Sequence, residues 1–240
     1  MKRLLVLLGL MLCAGVARAH AEDFSKWAVL IVAGDDRAQN GKQSQVFDNG
    51  RKALAKAFAG MGFAPGNTEQ FSLHPDGVSR TTSFASISTA LWDLSSRAPG
   101  GCLIYFTSHG TPDGIVVGSA EVSPRRVAAL INNSCGDKPS VIVMSACFSG
   151  QFVPVLERDS RIVITAARPD RTSFGCGEMD QYTFFDDCFL RAVPLGSDFA
   201  SLGDLIKQCV TAREKEVKAE PPSEPQVSIG SKVTFTLRWK

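Results

Sequence analysis

The runs CLIYFTSHG (102–110) and SVIVMSACFSG (140–150) decide the reading of this chain. Each is a short block of apolar, largely β-branched and aromatic residues that stops at Ser or Gly, the pattern of a strand buried on both faces. Strands of that kind form parallel sheets in α/β folds, where ligands bind beyond the carboxyl ends of the strands. The first run ends at His109 and the second at Cys147. If the two strands are neighbours, an imidazole and a thiol share one cleft.

Outward from these runs, strand-like and helix-like segments alternate. WAVLIVAG (27–34) is a further buried strand, and 47–61 carries Leu54, Ala57, Phe58 and Met61 at helical spacing. Residues 67–73 read as a second strand. Phe84, Ile87, Leu91 and Leu94 recur at steps of three and four before Pro99-Gly100-Gly101, a helix followed by its stop signal. After His109, 114–118 reads as a hairpin strand, and Ser123-Pro124 as a cap with proline at the first helical position, opening a helix through Ile131. That helix is the crossover to the strand ending at Cys147. RIVITAA (161–167) is another core strand, followed by a polar loop to about 180. Leu202, Leu205, Ile206 and Cys209 mark a late helix with a solvated, charged end, and 226–237 alternates as a final strand. The pattern predicts an α/β fold with a mostly parallel central sheet flanked by helices, one domain over 22–240 and no internal repeat.

Residues 1–21 read as a signal peptide: Lys2 and Arg3, an apolar run from Leu4 to Leu12, and the small-x-small site Ala19-His20-Ala21 before Glu22. Ala17-Arg18-Ala19 is a second such site, which would leave His20 as the first residue. The expectation is an exported protein, periplasmic or secreted, with no membrane insertion after the leader is removed. Without Lys2, Arg3 and Arg18 the chain has 23 basic and 24 acidic residues, so its formal charge moves from +2 to −1. Such a balance offers no footprint for nucleic acid. The remaining length, roughly 220 residues, suffices for a full core.

Six cysteines remain, at 102, 135, 147, 176, 188 and 209. Export favours disulfides. With Cys147 set aside as a reactive thiol, Cys102 at the head of a buried strand reads as a free apolar filler, which leaves Cys135, Cys176, Cys188 and Cys209 with three possible pairings. No Cys-x-x-Cys pair exists, so no metal or cofactor is expected.

A thiol attacks carbonyls as the thiolate, and an ordinary cysteine loses its proton only near pH ~8.5, so a base must stand beside it. His74 precedes Pro75-Asp76-Gly77, a turn signal, which leaves His109 as the base. The main-chain N–H groups of Gly110 and Cys147 are the candidate oxyanion donors.

The two runs together resemble the legumain-type cysteine peptidases, relatives of the caspases, in which one strand ends in His-Gly and another, about forty residues later, in Ala-Cys-x-Ser-Gly. Here His109 and Cys147 are 38 positions apart. AVLIVAG (28–34), ITAARPDRTSFGCG (164–177), Phe184 to Asp187 and PQVSIG (225–230) are similar to further family segments. The resemblance implies a caspase-like three-layer sandwich, a protein or peptide substrate, cleavage or transamidation after asparagine or aspartate, and a Cys147–His109 dyad with Gly110 and Cys147 binding the oxyanion. Of the family's substrate-binding residues, the Glu position holds Ser145, the Arg position falls near Ser44 with Lys42 close by, and the acid is Asp187 or its neighbour Asp186. Ser173 matches a serine of the same pocket, and Lys42, with Asn40 near it, stands opposite the family's histidine-supporting Asn. A chain lacking a long carboxyl-terminal inhibitory region is not expected to be activated by its removal. The alternatives are a catalytically silent peptide-binding module of the same fold, its thiol held in a disulfide, and a transamidase.

Overall fold

The computed structural model describes residues 21–234 and 236–240. The predicted signal peptide lies outside the described residues except for Ala21. The elements in chain order are β1 (Trp27–Ala33), α1 (Val46–Gly60), β2 (Thr68–Ser72), β3 (Ser79–Thr81), α2 (Phe84–Arg97), β4 (Gly101–Thr107), β5 (Gly110–Thr111), β6 (Gly114–Val117), β7 (Ala120–Val122), α3 (Pro124–Cys135), β8 (Ser140–Ser145), α4 (Val153–Leu156), β9 (Arg161–Thr165), α5 (Phe184–Ala192), α6 (Phe199–Val217) and β10 (Gln226–Ile229).

Strands β1, β4, β8 and β9 are buried at every position, which is why they read as continuous apolar runs and not as alternating ones. They form the middle of a sheet ordered β10-β9-β8-β4-β1-β2-β3, parallel throughout except for β10 against β9. Alternate side chains of each strand go to opposite faces. Leu30, Val32, Ile104, Phe106, Ile142 and Met144 join Ile87, Leu91 and Leu94 of α2 and Val127 and Ile131 of α3 on one side. Val29, Ile31, Leu103, Tyr105, Val141 and Val143 join Leu54 and Phe58 of α1, Phe185 and Phe189 of α5, and Leu202 and Ile206 of α6 on the other. The result is three layers, helix, sheet and helix. A small antiparallel sheet, β5-β6-β7, stands beside the carboxyl end of β4. Among the described residues no helix is long and apolar enough to cross a membrane.

The structure corrects the cysteine reading. Cys102 is not a free filler: it is bonded to Cys135, because α3 runs one turn beyond Ile131 and brings Cys135 over the start of β4. Burial alone could not separate the two states, since a half-cystine is as apolar as a thiol. Cys188 and Cys209 join α5 to α6, and Cys147 and Cys176 are free. The final strand is also shorter than its alternation suggests. It ends at Ile229, after which the chain turns against Asp159 and Arg161, and Val233 and Leu237 are buried as loop residues.

Candidate active site

Parallel pairing of β4 with β8 places Thr107 opposite Ser145, and the Ser108 N–H continues the ladder to the Ser145 carbonyl at 3.1 Å. Two residues further along each strand stand His109 and Cys147, so the register carries both to the same end of adjacent central strands.

The turn after β8 is built to expose Cys147. Phe148 has φ 57°, a left-handed conformation that is a real outlier for a bulky side chain, and its N–H donates to the Arg171 carbonyl at 2.8 Å. Ser149 is buried, and its Oγ accepts from the Ala167 N–H at 3.1 Å, tying the turn to the end of β9. Gly150 lies flat on Pro169, where a Cβ would sit 2.6 Å from the ring. On the other strand, Gly110 packs against the main chain of Cys147, and any side chain there would collide with the Cys147 carbonyl oxygen. The glycines of the two motifs thus let three loops meet at one point.

The imidazole of His109 is held on two sides. Nε2 lies 2.9 Å from the Arg37 carbonyl, and the ring meets Phe47 edge to face at 5.1 Å. A carbonyl only accepts, so Nε2 is the donor in this contact. The thiol of Cys147 donates to the Ser173 carbonyl at 3.6 Å and accepts from the Ser173 N–H at 3.2 Å. Burial pushes this thiol above the ordinary range, only partly opposed by the Ser173 N–H, so the resting sulfur is protonated.

Two spaces lie at the pair and share His109, Cys147, Ser173, Phe174 and Cys176 in their walls. A cleft of about 460 Å³ runs over Gly110, Cys147 and Phe148 and along the loop from Thr172 to Gly177. Beneath it a recess reaches down between the strand ends to Ser145, Phe47, Phe174, Cys176 and Thr183. Ser145 and Ser173 both line the recess. The remaining predicted substrate-binding residues lie elsewhere. Lys42 is on the surface, paired with Glu178 at 3.0 Å, and Asp187 faces out to Arg191 at 3.0 Å. Asp186 is fully buried below the site, where it accepts from Tyr105 Oη at 2.7 Å and Thr107 Oγ1 at 2.6 Å. Burial raises its carboxyl above the usual range despite those bonds. His74 is in its surface turn, 2.8 Å from Asp36.

Several contributors are invisible in the sequence. Arg37 acts through its carbonyl, and main-chain atoms carry no residue signature. Phe47 reads as one more apolar residue at the start of a helix. Cys176 packs against Ala33, Val46 and Phe47, and burial, then the neighbouring Cys147, pushes its thiol up to about 11.

The model of the peptidase C13 family matches residues 88–224, which include both strand-end motifs. No curated protein matches the sequence. Among solved structures, caspase-1 from Spodoptera frugiperda superposes with a TM-score of 0.62 at 13% identity, covering 88% of this chain and 89% of that one. At that identity the likeness speaks for the fold, a caspase-like sandwich with a mostly parallel central sheet. The chain belongs to the peptidase C13 family, the legumain family, and by that membership is a cysteine peptidase, a hydrolase acting on protein.

Proposed function

We propose that the protein is an endopeptidase working through a Cys147–His109 dyad and a thioester acyl-enzyme. The observation that carries this reading is the β4–β8 register, by which a free thiol, Cys147, and an imidazole, His109, follow adjacent central strands at the same end and line one cleft. When a peptide enters, Nδ1 of His109 takes the Cys147 proton as Sγ bonds to the substrate carbonyl carbon. The oxyanion is received by the N–H groups of Gly110 and Cys147. His109 then returns the proton to the leaving amine as the C–N bond breaks, leaving a thioester. It next takes a proton from water as the water oxygen bonds to the acyl carbon, and returns it to Sγ as the C–S bond breaks, which releases the carboxylic acid and restores the thiol.

A thiol that is free in the folded protein favours this reading over a silent module with its cysteine oxidised. Two disulfides between secondary-structure elements accord with export to an oxidising compartment. The test is hydrolysis of a peptide library by the mature protein, whose amino terminus at Glu22 or His20 checks export at the same time. Cys147→Ala is expected to abolish turnover and His109→Ala to reduce it by at least about a hundredfold. Equal turnover by Cys147→Ala would sink the proposal, and products carrying an added amine in place of water would reassign it to transamidation.

A further inference from the structure

The layer formed by α2 and α3 carries a groove that the peptidase reading leaves unused. It has a volume of about 560 Å³ and is lined by Phe84, Ser88 and Trp92 on α2 and by Arg126, Leu130 and Asn133 on α3. Its size falls within the ~300–1,000 Å³ of small-molecule sites. Ile87, Leu91 and Leu94 are the face of α2 that packs on the sheet, whereas Phe84, Ser88 and Trp92, spaced by four, form a stripe on another side of the helix. Trp92 is 60% exposed, a large ring left in water where the groove needs a wall.

Charge is confined to one end. Arg126 is the one charged residue of the lining, and its guanidinium lies over the Phe84 ring, 4.8 Å from the centroid. Among the described residues it forms no ion pair and no side-chain hydrogen bond, so a planar fork of N–H donors is held on the ring facing solvent. Arg125 is exposed next to it. Cations in the first turn of a helix work against the helix dipole, yet the first turn of α3 holds two of them. Phe84 and Arg126 each lie in the first turn of their helix, so α2 and α3 bring their amino-terminal ends to the same end of the groove. Trp92 stands two turns further along α2, ~12 Å away. One end of the groove thus suits an anion and the remainder suits an apolar chain.

We propose that this groove binds a small anionic amphiphile, a fatty-acid-like molecule whose carboxylate is held by Arg126 and whose chain lies between Leu130 and Trp92. A second copy of the chain is a poorer occupant, because the lining contains no acidic residue to bring to the arginine. The groove shares no lining residue with the cleft at Cys147, so the proposal goes beyond the peptidase reading and does not depend on it.

The probe is decanoate, kept below its micelle-forming concentration, with decanol and decyltrimethylammonium as the neutral and cationic counterparts. Titration calorimetry on the mature protein gives the affinities, and tryptophan fluorescence reports entry, with Trp92→Phe identifying which ring responds. Decanoate is expected to saturate one site and to bind at least about tenfold more tightly than decanol, and Arg126→Gln to remove that preference. Both side chains are exposed, and a thermal melt checks that the variants remain folded. Equal affinity for decanoate and decanol, or a preference untouched by Arg126→Gln, would overturn the proposal. So would a lack of decanoate binding, or a dimer in sedimentation that Trp92→Ser dissociates, which would assign the groove to a second copy.

Discussion

Cys147 rests with its sulfur hydrogen-bonded to the main chain of Ser173, and burial keeps it protonated. On the proposed dyad the nucleophile would therefore be made on demand, when His109 accepts its proton, and not be stored as an ion pair. This has a measurable sign. A raised pKa moves thiolate formation to higher pH, so iodoacetamide alkylation of Cys147, followed by peptide mapping to separate it from Cys176, should keep climbing above pH ~9, where ordinary cysteines level off. A plateau below neutrality would show a preformed thiolate and contradict this account. At this scale the sequence was informative about identity and silent about posture. His109 and Cys147 stand out by their place after apolar runs, whereas the Arg37 carbonyl that orients the imidazole could not be read from any residue type. The same applies to Asp186 and Asp187: adjacent carboxylates on a helix face different ways, and only packing shows that one is buried against Tyr105 and the other pairs with Arg191.

Among the elements, α5 is the one that shapes the floor of the site, since Thr183 caps it by accepting from the Asp186 N–H at 3.0 Å and also lines the recess. Its hold on the molecule comes from the apolar face of Phe185 and Phe189 and from the Cys188–Cys209 bond to α6, across a sequence separation of 21. Closing a loop of that length restricts the unfolded chain, so Cys188→Ala with Cys209→Ala is expected to lower stability by about 3 kcal/mol in urea denaturation without reductant. An unchanged midpoint would show that the crosslink contributes nothing to folding. Parts of this level were legible: central strands and the helix over 84–97 follow from burial and period. Strand β3 and the end of β10 were not, because three residues carry no period and because alternation continues past Ile229 into chain that is buried without pairing.

Over the whole molecule, the layer carrying α1 is anchored to the sheet by Arg51. Its guanidinium is fully buried and donates to Asp48 at 2.8 Å, Gln70 at 2.8 Å and Asp76 at 2.8 Å, joining α1, β2 and the turn before β3. The hydrogen bonds from Arg51 and Ser79 hold Asp76 well below the usual carboxylate range; burial raises Asp48, but the bonds from Arg51 and Lys52 outweigh it. A depressed folded-state pKa contributes stability that is present above the unfolded value, near 4, and lost as pH falls through the folded one. Arg51→Met is therefore expected to cost about 3 kcal/mol at pH 7, with the difference from the unaltered protein shrinking below pH ~4 as the carboxyls take up protons. A difference that stays constant down to pH ~2 would mean that the loss is one of packing and not of charge.

The sequence by itself determined the buried strands of a mostly parallel central sheet and the two residues that follow two of them, because burial on both faces demands continuous apolar runs and a strand must stop where its last residues meet solvent. The tertiary structure alone decided what surrounds that pair: the two disulfides, the carbonyl behind His109, the ring of Phe47 against the imidazole and the burial of Asp186 against Tyr105 and Thr107. Those features join residues distant in the chain, and their chemistry depends on which groups meet and what is left exposed, a matter of packing that no local pattern encodes.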